Sequence, residues 1–187
     1  MSLTFENETN FNETRKGKEK HIMTPAHLHL VLNHMPILGT LFGLILLFLG
    51  LSRGNKTLQK VGLATFALVA LITIPAFLTG EPAEHMVDKF PGFSHDMAHE
   101  HEELAEKGLI LAIVLGVFSV LMLFLMNRNK HLNYKKGLWG TLVLSVISFL
   151  LMVLIGNHGG QIRRPELRGE KIELIDNNDN HKEIDED

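Results

Sequence analysis

Eleven histidines carry most of the reactive chemistry in this 187-residue chain, and they are unevenly placed. Imidazole is the commonest protein metal ligand and titrates near neutral pH. Four long apolar runs divide the sequence. His21, His27, His29, His34, His85, His95, His99, His101, His158 and His181 fall before the first run, between the second and third, or after the fourth. Only His131 falls in the other connections. If each run crosses a bilayer, ten histidines share one side, which points to a metal, haem or proton site at that face.

The spacings sharpen this. His27 and His34 are seven apart and share a helical face, whereas His29 points nearly the opposite way. Counting back from Leu51 at 1.5 Å per residue places His34 about 26 Å away, just inside the hydrocarbon edge, where an ionisable group is a functional candidate. His95, His99, Glu102 and Glu106 follow i, i+4, i+7, i+11 and form one stripe. Imidazole nitrogen plus carboxylate oxygen suits zinc, copper(II), nickel or iron. The plainer reading is a solvated helix start whose acids favour the helix dipole. Glu81, Glu84 and His85 follow the second run, and the two acids are expected to pair with Arg163 or Arg164. His158-Gly159-Gly160 closes the fourth run. Arg163 and Arg164 beyond it suit carboxylates, haem propionates or lipid phosphates.

Each run thus brings a histidine (His34, His85, His99, His158) toward one layer, and the ends of a four-helix bundle lie near a common axis. The candidate ligands are His27, His34, His95, His99, Glu102 and His158, with His85, Glu84 and Glu106 secondary and Arg163 and Arg164 as anion or propionate contacts. Two cofactors fit. One is a b-type haem held by His34 with His99 or His158; the other is a divalent ion such as zinc, copper or iron.

The elements that must position these groups follow from the apolar runs. Ile37 to Leu51, Val61 to Thr79, Gly108 to Met126 and Leu138 to Ile155 are free of charge. With their semi-polar neighbours they approach the ~20 residues that span ~30 Å of hydrocarbon. The predicted fold is an all-α four-helix transmembrane bundle, with helices near 25–52, 58–79, 94–126 and 136–157, the third extended beyond the membrane. Thr24-Pro25 reads as a helix start, and Ser94 as the cap of the third helix. Pro36 is expected to kink the first helix or free a carbonyl. Gly39 and Gly43 form a G-x-x-x-G pair on the side opposite His34. Residues 80–94 read as a loop, and the two glycines after His158 as the stop of the fourth helix. Residues 1–23 and 167–187 read as polar, disordered tails.

Composition closes other routes. Net charge is −3, so nucleic acid is not an expected partner. There is no cysteine, which excludes disulfides, thiolate sites and covalent C-x-x-C-H haem attachment. No hydrolase or transferase motif appears, and no apolar h-region precedes the first run. The segments 53–60 and 127–136 carry Arg53, Lys56, Lys60, Arg128, Lys130, Lys135 and Lys136 and no acid. By the positive-inside rule these face the cytoplasm, and both termini and the histidines face outward in a bacterial inner membrane.

His27 to Pro36, Thr79 to His85, His101-Glu102-Glu103-Leu104-Ala105 and Asn157 to Glu166 together resemble a prokaryotic family of small four-helix membrane proteins of unknown function. The resemblance covers about Thr24 to Glu166. It implies a respiratory neighbourhood and haem, and supplies no activity. Relatives commonly carry Glu where this chain has His85. The leading expectation is metal or haem binding at the outer interface, with electron transfer. An accessory subunit of a larger complex or a homo-oligomer is the alternative. Transport is disfavoured, because the apolar parts of helices two to four hold no ionisable residue.

Overall fold

The computed structural model describes residues 24–128 and 134–169. His21, His131, His181 and both expected tails lie outside the described residues. The fold is the expected all-α four-helix bundle, without a strand among the described residues. The elements are α1 (Pro25–Leu32), α2 (His34–Ser52), α3 (Lys56–Leu78), α4 (Gly80–Val87), α5 (His95–Arg128), α6 (Lys135–Gln161) and a 3-10 turn (Pro165–Arg168). They make four spans long and apolar enough to cross a membrane: Pro25–Ser52, Lys56–Val87, His95–Arg128 and Lys135–Gln161. At 1.5 Å per residue the 34-residue third span is about 51 Å long, so it outruns the hydrocarbon.

Caps set the starts. Thr24 Oγ1 accepts from His27 N–H at 3.3 Å, with Pro25 in the first turn. Asn55 Oδ1 accepts from Thr57 and Leu58 N–H. Ser94 Oγ accepts from Met97 N–H at 3.4 Å.

One expectation about the helices is met and two are corrected. The first span is locally irregular before Pro36: its regular helix is interrupted at Asn33, whose backbone stays right-handed helical. Pro36 has no N–H for the Leu32 carbonyl, so that acceptor is freed. Residues 80–94 are not all loop: Gly80–Val87 is helical and continues the second span past Thr79. The fourth helix does not stop at the double glycine but runs to Gln161.

Each span packs on the next, and the fourth closes on the first, so the first and third stand diagonally. The seams are lined with small residues, among them Gly43, Gly62, Ala70, Ala112, Gly116 and Ser145, all buried. Leu38, Phe42, Leu71, Val117, Leu150 and many other large apolar side chains face outward instead. That inversion is what lipid solvent allows: tails are as apolar as leucine, so helices gain by close approach. Gly62 lies at a tight backbone seam, since a Cβ there would lie 2.9 Å from Leu47 N and 3.0 Å from Gly43 O.

Candidate functional site

The histidine-bearing end of the bundle is built by two imidazoles that leave their own span and dock on the next. His29, on α1, donates from Nδ1 to Ala76 O of α3 at 3.1 Å and lies 3.2 Å from Thr79 Oγ1. Thr79 itself donates back to Pro75 O and Ala76 O, both at 2.9 Å. Gly80 forms the seat, with the position of its missing Cβ 3.6 Å from His29 Cε1. His101, on α5, donates from Nδ1 to Ile155 O of α6 at 3.0 Å. Its ring lies on Gly159, where a Cβ would approach Cε1 to 3.0 Å. Both rings are half-buried. A carbonyl only accepts, so the proton stands on Nδ1 and the Nε2 lone pair is left free.

His158 joins them from the last turn of α6. Its Nδ1 donates to Leu154 O at 3.0 Å, and its Nε2 lies 3.9 Å from Glu100 Oε2. His101 is within electrostatic range of both His29 and His158. Three spans therefore bring imidazoles to one layer. Imidazole anchored at Nδ1 with Nε2 free is the arrangement of metal-ligating histidine, where the second nitrogen fixes tautomer and ring direction.

The residues singled out from the sequence are placed differently from one another. His158 belongs to the layer. His34 is exposed, its Nδ1 donating to Leu30 O of the preceding turn at 2.9 Å. His27 is exposed and bonds its own cap, with Nδ1 2.7 Å from Thr24 Oγ1. His95, His99, Glu102 and Glu106 form the expected stripe on α5, but all four are exposed. His95 meets the Phe93 ring edge-on, and His99 Nδ1 lies 3.6 Å from Glu103 Oε1. His85 is exposed beside Glu81 at 3.8 Å, and Glu84 is half-buried. The expected pairing of Glu81 and Glu84 with the arginines does not form among the described residues. Arg163 instead lies over the Phe90 ring at 5.1 Å, and Arg164 is exposed. The expected layer of His34, His85, His99 and His158 is thus replaced by His29, His101 and His158. Among the described residues no three His, Asp or Glu side chains gather as a ready-made metal site.

A signal for the two missed histidines was in the sequence. The small-residue face is the packed face. At 100° per residue His29 lies about 40° from Gly43, and His101 about 20° from Gly108. His34, His95 and His99 lie about 140° to 180° away from the same glycines.

Beyond the layer, Arg168 donates to Gln161 O at 2.6 Å and Ile162 O at 3.1 Å, capping α6. It also reaches Gly92 O at 3.4 Å, and Ser94 N–H donates to Ile162 O at 2.9 Å. The loop before α5 is thereby tied to the end of α6. Compared with known proteins, this chain matches no family model, no curated sequence and no solved structure.

Proposed function

We propose that this chain is a multi-pass protein of a bacterial plasma membrane that binds a b-type haem at its outer end and passes electrons there. The carrying observation is that His29 and His101, from diagonally opposed spans, are each fixed through Nδ1 with Nε2 free. Imidazole nitrogen is a donor that haem iron takes. His29 and His101 would hold the group, His158 is the third imidazole of the layer, and Arg163 and Arg164, beyond α6, would be the propionate contacts. Bound haem supplies one-electron chemistry. The chain's own part is to fix two imidazole directions by glycine seats and carbonyl acceptors. A divalent ion is the other occupant of the same nitrogens. The basic, acid-free segments at 53–60 and 127–136 support a cytoplasmic inner end and outward termini.

The test is an optical spectrum, oxidised and dithionite-reduced, with elemental analysis of protein purified in mild detergent. The expected result is a Soret band at about one haem per chain, with the low-spin signature of two imidazoles. It should be lost in His29→Ala and His101→Ala and kept in His34→Ala. Absence of both a Soret band and stoichiometric metal overturns the proposal.

A second reading has its own support. The same two imidazoles tie neighbouring spans together, as a rigid accessory subunit of a respiratory or other membrane complex, or a homo-oligomer, requires. Stable partners or a defined oligomer in native membrane extracts, without a Soret band, would favour it.

A further inference from the structure

At the outer end of α6, on a different face from His101, an open-sided cavity of about 310 Å³ is lined by Gly156, Asn157, Gly160, Gln161 and Leu167. Its floor is two glycines one turn apart. Gly160 is helical, and a Cβ there would meet nothing within 4 Å. Neither backbone conformation nor packing asks for glycine at that point, although glycine weakens a helix relative to alanine.

The wall is an amide pair. Gln161 Nε2 donates to Asn157 Oδ1, which leaves the Asn157 Nδ2 donors and the Gln161 Oε1 acceptor for something else. Leu167, from the 3-10 turn that Arg168 holds, supplies the apolar side. Down the helix, Gly160 and Asn157 continue into Val153 and Leu150 at spacings of three, four and three, which is one stripe. Val153 and Leu150 are both exposed on the lipid-facing surface. A mixed cavity with an amide pair at the outer edge thus tops an apolar track that runs into the membrane.

We infer that this cavity binds the head of an amphiphile, a neutral oxygen-bearing group that both accepts and donates hydrogen bonds, with its apolar tail along Val153 and Leu150. Two sources carry such a head: the ring of an isoprenoid quinone or quinol, and the glycerol-ester region of an outer-leaflet phospholipid. The glycine floor admits either against the backbone, and the volume is in the range of small-ligand pockets. The site does not depend on haem ligation, because it uses none of the three imidazoles.

The test compares wild type, Gly160→Leu and Asn157→Leu, purified in mild detergent. Bound amphiphile is extracted and identified by mass spectrometry. Binding is then titrated with a decyl-tailed benzoquinone and, separately, a short-chain phosphatidylglycerol. Wild type should retain or bind one of the two. Gly160→Leu should abolish that binding by filling the floor. Asn157→Leu should weaken it about fivefold or more, the worth of one lost hydrogen bond of about 1 kcal/mol. Both variants should melt at or above the wild-type temperature, since leucine is a better helix former than either residue and both positions are exposed. The probe that binds identifies the source. No binding of either probe by wild type, or equal binding by wild type and Gly160→Leu, overturns the inference.

Discussion

Toward the 53–60 end of the bundle, Leu47, Leu63, Phe66, Leu115, Met122, Leu138 and Leu142 form one apolar cluster, edged by a buried hydrogen bond from Gln59 Nε2 to Gly50 O at 2.8 Å. At the histidine end, hydrogen bonds from imidazole to carbonyl join spans, each beside a glycine. Both ends use small residues to bring helices together, but for different ends. In the apolar seam, Gly43 makes room for the Phe66 ring and Gly62 for the neighbouring backbone. At the histidine end, Gly159 makes room for the His101 ring, and Gly80 lies in ordinary contact with His29. Dispersion holds most of the apolar seam, because lipid offers no hydrophobic drive between helices, with the Gln59 and Lys60 hydrogen bonds at its edge. Side-chain orientation therefore matters at both ends. The difference lies in what is left over: each docked imidazole keeps an Nε2 lone pair in a fixed direction.

The comparison is broken most directly at Gly62. With the backbone of α2 only 2.9 Å from the position of a Cβ, Gly62→Ile must force the first two spans apart. A loss of about 3 kcal/mol is expected, at the upper end for overpacking. Unfolding in graded SDS, followed by circular dichroism, measures it. A loss below about 1 kcal/mol would mean the apolar seam is loose and the contrast false.

Next comes His101→Ala. It removes an interhelical bond to Ile155 O and the ring that fills the Gly159 seat. The expected cost is about 1–2 kcal/mol. A double-mutant cycle with Gly159→Ala sharpens the point. Alone, Gly159→Ala places a Cβ at 3.0 Å from the ring and should destabilise. In the His101→Ala background the clash is gone and alanine's helix propensity should make it stabilising. The sign reversal is the measurable coupling. Additive effects would show that the ring is not held by that glycine.

His29→Ala should cost less, about 0.5–1 kcal/mol. Its seat is looser, at 3.6 Å, and Thr79 keeps its own bonds to Pro75 O and Ala76 O when the imidazole goes. The same graded unfolding ranks it below His101→Ala, and the reverse order would refute the assignment of seats.

How much of this was legible in the sequence follows the same division. The four spans were, because uninterrupted apolar runs need only counting. The caps Thr24 and Ser94 were, because their side chains satisfy local N–H groups. The continuation of the second span through Gly80–Val87 was not: Gly80 and Pro82 read as breakers, yet the α1 contact stabilises a helix there. The double glycine after His158 likewise read as a stop, when Gly159 is a seat for another span's ring. His29 was passed over because it points away from His27 and His34, and His101 because it lies off the His95 to Glu106 stripe; the apolar runs, apolar on all sides, gave no periodic signal of which face is inward. His34 stood out through its depth, and depth says nothing about direction. The directional signal lay in the glycines, which in a membrane mark the packed face as leucine does in water.

The smallest effect tests that last point hardest. His34 has the same anchoring as His101 at first sight, with Nδ1 on a carbonyl at 2.9 Å. The carbonyl is Leu30's, one turn back on the same span, and the ring is exposed. Removing it breaks no contact between spans, and alanine is a better helix former than histidine near the start of α2. His34→Ala should therefore leave the melting temperature and any Soret absorbance at wild-type values, although it deletes the histidine whose depth in the membrane looks most functional. If it strips haem as His101→Ala is expected to, the working nitrogens lie on the lipid-facing side, and the glycine seats are fastenings of the bundle with no part in ligation.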